Sequence, residues 1–221
     1  MENKKSRIRK KLFVFLIFFI LGSLFLIRYS QSQTNPDLMI TWRANNYVPS
    51  NYEGKILPTP EASVNVSLEI INNGRMADIS KNEIRWLVNS ELKSGIGLKN
   101  IEFSVDRFKN PQKIRVTIMN FNGSNLEKTI FIPVAEPETV ITGGPNTFQA
   151  LPYFFNINNL QQLSFIWSAN GLNTEGQADN PDILNLDTSQ LPAGAIVNLR
   201  VQIQNSLKPL EISSQKLSYK L

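Results

Sequence analysis

One pattern occurs twice in this chain and restricts its fold more than any other feature. Glu83-Ile-Arg-Trp-Leu-Val-Asn89 matches Ser164-Phe-Ile-Trp-Ser-Ala-Asn170. Further along, Arg115-Val-Thr-Ile-Met-Asn120 matches Arg200-Val-Gln-Ile-Gln-Asn205, in the same order. Trp86 thus aligns with Trp167 and Asn89 with Asn170. Each segment alternates apolar and polar residues, the period that turns one face of a β-strand toward a core. Two copies in register, about 80–85 residues apart, predict two tandem units of sandwich size.

The rest of the chain after the N-terminal region fits that reading. No stretch keeps a helical period; short alternating runs are separated by turn-formers. Strands are predicted at 38–43, 63–71, 83–88, 100–105, 113–121 and 127–134, with Asn122-Gly123 as a hairpin signal between the last two. A second set is predicted at 138–142, 148–157, 162–168, 183–187, 196–204 and 210–219. Pro137 marks a stiff hinge between the sets. Gly143-Gly-Pro145 reads as a bend within the first strand of the second set.

Composition removes several function classes. The 221 residues include no Cys and no His. No disulfide framework supports the fold, and catalysis or zinc binding through Cys or His is excluded. The formal charge of +5 suggests a nucleic-acid binder until the charges are located. Seven of the 23 basic residues and one of the 18 acidic residues fall within 1–28. That leaves sixteen basic and seventeen acidic residues in 29–221. The body is near neutral and carries no electrostatic footprint for nucleic acid.

The basic excess surrounds a single apolar run. Leu12 to Ile27 reads LFVFLIFFILGSLFLI, with Lys10 and Lys11 before it and Arg28 after it. As a helix the run covers about 24 Å of a hydrocarbon core about 30 Å thick. Lys10, Lys11 and Arg28 extend the span by snorkelling to the two interfaces. The N-terminal cations predict a cytoplasmic tail and an extracytoplasmic C-terminus. Ser30 and Ser32 leave open the alternative of a cleaved signal peptide and a secreted product beginning at or near Gln33. The expected organisation is therefore a basic tail (1–11), a transmembrane signal-anchor helix (12–28), a polar tether (29–37), and two sandwiches (38–135 and 136–221).

The series I-R-W-L-V-N, S-G-I-G, I-E-F-S-V and I-R-V-T-I, from Ile84 to Ile118, resembles the PKD and other Ig-like modules of bacterial surface proteins. The resemblance implies an all-β chain of two tandem immunoglobulin-like β-sandwiches. In such modules the Trp lies on strand C in the core, and strands F and G close the domain as a hairpin. The PKD-type W-D-F-G-D-G signature is absent, so the resemblance implies architecture and no functional residues.

Trp86 and Trp167 are read as structural core. Trp42, Tyr47 and Tyr52 form the best ligand-binding candidate, since loop aromatics stack on sugars or anchor protein contacts. The competing reading packs them over one end of the first sandwich. Asp179, Asp182 and Asp187 offer oxygen ligands, but their spacing matches no EF-hand loop, and no metal or cofactor is expected. No motif supports an enzyme. The expectation is a membrane-anchored envelope protein that meets the bilayer through 12–28 and other surface proteins through its sandwiches. Roles in adhesion or in a secretion- or pilus-type assembly fit that description. The alternative is a carbohydrate-binding module using Trp42, Tyr47 and Tyr52.

Overall fold

A computed structural model describes residues 35–221. The expected tail and membrane helix, with Lys10, Lys11 and Arg28, lie outside the described residues, as does most of the tether. Among the described residues no helix is long and apolar enough to cross a membrane.

The described chain is all-β. Its first half contains β1 (Asp37–Ala44), β2 (Ser63–Asn72), β3 (Arg75–Met76), β4 (Glu83–Val88), β5 (Glu91–Ile96), β6 (Asn100–Ser104), β7 (Gln112–Phe121) and β8 (Ser124–Ile132). One sheet has the order β1-β2-β3 with β6 also on β2; the other runs β5-β4-β7-β8. The second half contains β9 (Glu138–Gly143), β10 (Thr147–Tyr153), β11 (Leu163–Ala169), β12 (Leu172–Thr174), β13 (Ile183–Asn185), β14 (Ile196–Asn205) and β15 (Ile212–Lys220). Its sheets run β13-β10-β9 and β12-β11-β14-β15. Lettered as in Ig-like modules, each half pairs an A-B-E sheet with a C′-C-F-G sheet.

Alternation drives this arrangement. In β7 as far as Ile118, and throughout β14, every second side chain is buried, and the opposite face looks outward. The first core gathers Val64, Val66, Leu68, Ile84, Trp86, Ile114, Val116 and Ile118 from both of its sheets. The second gathers Phe148, Ala150, Trp167, Leu184, Leu199, Val201 and Ile203. The repeat seen in the sequence has the same register in both copies. Trp86 lies opposite Val116, and Trp167 lies opposite Val201. Both sandwiches lie in one compact unit, Leu38–Ile70 with Met76–Leu221. The described part of the small remainder, 35–37 and 71–75, holds the turn that joins β2 to β3.

Three differences from the predicted strands have physical causes. Strands β5 and β12 are not predicted, because they are C′ edge strands with little buried surface. They form through two-residue hairpins in which both turn residues have positive φ: Asn89-Ser90 and Asn170-Gly171. Gly143-Gly-Pro145 is not a bend within a strand but the turn between β9 and β10. A side chain at Gly143 (φ 109°) would lie 2.3 Å from the carbonyl oxygen of Thr147. Finally, β10 ends at Tyr153 instead of running to Ile157, because Phe154 turns to φ 63°.

Candidate functional site

The long connection from β1 to β2 contains the aromatic segment singled out above, and the structure divides its three aromatics. Trp42 belongs to β1 and packs, half-buried, on the first core. The Lys55 ammonium sits 4.1 Å from the centre of its ring and donates a 2.6 Å hydrogen bond to its backbone carbonyl. Tyr47 packs instead on the second core. Its backbone pairs with the second sandwich: Tyr47 N–H donates to Phe155 O at 2.7 Å, and Phe154 N–H donates to Tyr47 O at 2.8 Å. The Tyr52 ring meets Tyr153 and Phe154 edge-on, with centroids 5.8 and 5.7 Å apart. Tyr47 and Tyr52 therefore come together at the junction of the two sandwiches, while Trp42 stays on the first.

Around these rings runs a polar network that the sequence reading missed. Asn46, 5% exposed, donates through Nδ2 to Thr59 Oγ1 and to Phe154 O, both at 2.7 Å. Thr59, fully buried, donates in turn to Glu211 Oε1 at 3.1 Å. Glu211 also accepts from Asn156 N–H at 2.8 Å and from the buried Asn205 Nδ2 at 2.6 Å. One carboxylate thus collects donors from both sandwiches. Charge-assisted bonds of this kind are about twice as strong as neutral ones.

A second carboxylate stands beside it. Glu61 meets Arg107 at 2.8 Å and Lys208 at 3.7 Å, and its backbone carbonyl accepts from Asn156 Nδ2 at 3.1 Å. The hydrogen bond from Arg107 holds the Glu61 carboxyl below its ordinary range. Burial, reinforced by the nearby Asp182 charge, pushes the Tyr47 phenol up. Glu61 and Phe154 both hold φ 63°, an unusual conformation for residues other than glycine, and both sit at this junction. Only one signal in the sequence touched the network: Asn205 is the last residue of the repeated R-V-x-I-x-N segment.

The remaining candidates are simply placed. Trp86 and Trp167 are fully buried. Asp182 is buried and accepts from Gln149 Nε2 at 2.9 Å. Asp187 caps the backbone N–H of Ser189 at 3.0 Å. Among the described residues no three acidic side chains gather to hold a metal ion.

No protein-family model matches the chain, and neither does any curated protein. Solved structures do. The chain is similar to the fibronectin(III)-like modules of Clostridium thermocellum CbhA, at 11% identity over 82% of this chain and 92% of that one, with a TM-score of 0.30. It is similar to three N-terminal domains of the Highly Immunogenic Outer Capsid protein of bacteriophage RB49, at 8% identity over 82% and 68% respectively, with a TM-score of 0.32. The 47-kilodalton lipoprotein of Treponema pallidum is similar at 13% identity and a TM-score of 0.23, over 84% of this chain and 51% of that one. Each likeness is one of fold alone. The strand order in both halves defines the class: an all-β chain of Ig- and fibronectin-like sandwich architecture.

Proposed function

We propose that this chain is a non-enzymatic, membrane-anchored protein of the cell envelope. Its segment 12–28 holds it in the bilayer, and its two Ig-like sandwiches, 38–135 and 136–221, stand outside as one stiff unit. Their task is to present surfaces to other envelope proteins in adhesion or assembly. The observation that carries this reading is the junction. Asn46 and Thr59 from one sandwich and Asn156, Asn205 and Glu211 from the other share one hydrogen-bonded network. A flexible tandem needs no such network, whereas a spacer that must hold two surfaces in fixed relation does. The apolar run after a cluster of cations supports the anchor and its direction.

Membrane fractionation with intact-mass measurement tests the proposal. The full chain should stay in the membrane pellet after alkaline extraction and keep the mass of residues 1–221. A soluble product beginning at or near Gln33 would overturn the anchor.

A further inference from the structure

The outer faces of the two C′-C-F-G sheets carry the same feature at the same place. In the first sandwich a groove of about 470 Å³ is lined by Leu87, Asn89, Phe108, Lys109, Lys113 and Arg115, among others. In the second, a groove of about 530 Å³ is lined by Ser168, Asn173, Asn198, Arg200, Lys216 and Ser218, among others. Arg115 lies opposite Leu87 in the β4–β7 pair, and Arg200 lies opposite Ser168 in β11–β14. Those are equivalent positions of the repeat. Both linings contain cations and amides; in the first, Lys109 meets Asp106 at 3.4 Å and Arg115 meets Glu127 at 3.9 Å from outside the groove.

The cations are arranged at some cost. Arg200 and Lys216 are direct cross-strand partners, a like-charge pairing that destabilises a sheet. Neither they nor Lys113 has an acidic partner among the described residues. In the first groove the aromatic is held out with equal deliberation. Phe108 is 91% exposed, yet its loop is tied down from beneath. The fully buried Gln112 accepts from Asp106 N–H at 3.0 Å and donates to the carbonyls of Asp106 and Lys109. Asp106 caps Phe108 N–H at 2.9 Å, and Asn110 exchanges two bonds with the Val134 backbone. The exposed ring is thus a fixed platform and not the tip of a loose loop.

We infer that these twin grooves bind an acidic polysaccharide. Each group in the lining matches one part of such a ligand. Lys113 pairs with carboxylate or phosphate groups along the chain, joined by Arg115 as it trades its 3.9 Å contact with Glu127, and Arg200 and Lys216 do so in the second groove. In the second groove the Asn173 amide offers a donor and an acceptor, and Asn198 its Nδ2 donor, toward hydroxyls, while Asn89 and Asn110 spend their amides on Gln112, Lys113 and Val134. Phe108 offers a face for a sugar ring to lie against. A ligand that is only a polyanion would have no use for the amides or the ring. Two copies of the groove on one chain let successive acidic units of one polymer engage together or in turn, so that length raises apparent affinity. The site is separate from Trp42, Tyr47 and Tyr52 and does not depend on how the N-terminal segment is processed.

The test uses the full chain in non-ionic detergent micelles, titrated with alginate, with neutral dextran and with inorganic polyphosphate. Alginate should bind with an affinity that falls as salt is raised, and dextran should not bind. Lys113→Glu and Arg200→Glu should each weaken alginate about tenfold, and Phe108→Ala several-fold, without lowering the melting temperature; Arg200→Glu, now opposite Lys216, should raise it. Dextran binding as tightly as alginate would overturn the proposal. So would parent-like alginate affinity in both charge-reversal variants. Equal binding of polyphosphate with no effect of Phe108→Ala would also overturn it, by reducing the grooves to general polyanion capture.

Discussion

The indole nitrogen of Trp86 donates to the carbonyl oxygen of Leu98 at 2.9 Å, and the copy of this bond in the second sandwich runs from Trp167 to Pro181 at 3.0 Å. Both carbonyls belong to the segment between the C′ and E strands, so one bond pins that crossover to the core in each half. Replacing Trp86 by Phe keeps most of the apolar volume but removes the donor to the part-buried Leu98 carbonyl. The expected loss is about 0.5–1.5 kcal/mol, and Trp167→Phe should lose a similar amount. Truncation to Ala adds a cavity and should cost about 3–5 kcal/mol at either position. Urea denaturation of the four variants checks this.

The paired Asn residues make a sharper comparison. Asn89 and Asn170 both hold φ 50° in the C–C′ hairpin. Each accepts, through its side-chain oxygen, a backbone N–H of the F strand: Lys113 at 3.0 Å and Asn198 at 2.9 Å. Asn→Gly keeps the backbone freedom and loses the bond; Asn→Ala loses both. Asn170→Ala should therefore destabilise by about 1–2 kcal/mol, and Asn170→Gly by less. Equal losses would show that the hydrogen bond alone matters. Thermal melting of the two variants decides it.

At the junction, Glu211→Ala leaves Asn205, Thr59 and the Asn156 N–H without their shared acceptor. The expected loss is about 1.5–3 kcal/mol. The more telling outcome is calorimetric. The parent should unfold in one transition, and Glu211→Ala should separate it into two. Glu211→Gln, which keeps an acceptor but not the charge, should fall between them.

Two groups set the pH response of the same junction. Glu61 titrates below its ordinary value of 4.5 in the folded protein, chiefly through its hydrogen bond from Arg107. Its contribution is present above that value and is lost as pH falls through the lowered folded value. Tyr47 titrates above its ordinary value of 10.0, chiefly through burial. Its contribution is present below that value and is lost as pH rises through the raised one. Melting temperature against pH should thus be flat across neutrality and fall at both ends. Glu61→Gln should soften the acid limb, and Tyr47→Phe the alkaline limb.

What could be read in advance divides by how each feature is encoded. The alternation in β2, β4, β7 and β14 announces strands because each buries one whole face. The Trp86 and Trp167 repeat survives as identical cross-strand register. In contrast, β5 is exposed along nearly all its length, so no alternation betrays it. The overrun of β10 has a different origin. Apolar residues continue through Phe155, but Phe154 abandons the strand to pair with Tyr47, a residue far back in the chain. The junction was illegible for the same reason. Thr59 and Glu211 are 152 residues apart, and nothing local in either marks the other as its partner.

The central claim is that the sandwiches stand outside the membrane and the basic tail inside it. A chain without cysteine is ready for a direct measurement. Lys4→Cys and Gln190→Cys, introduced one at a time, report the tail and an exposed residue of the second sandwich. A membrane-impermeant maleimide is applied to cells whose inner membrane is intact and reachable. The account predicts labelling at residue 190 in intact cells, and labelling at residue 4 only after the membrane is opened. Protection of residue 190 together with labelling of residue 4, or recovery of both variants in the soluble cytoplasmic fraction, would contradict it.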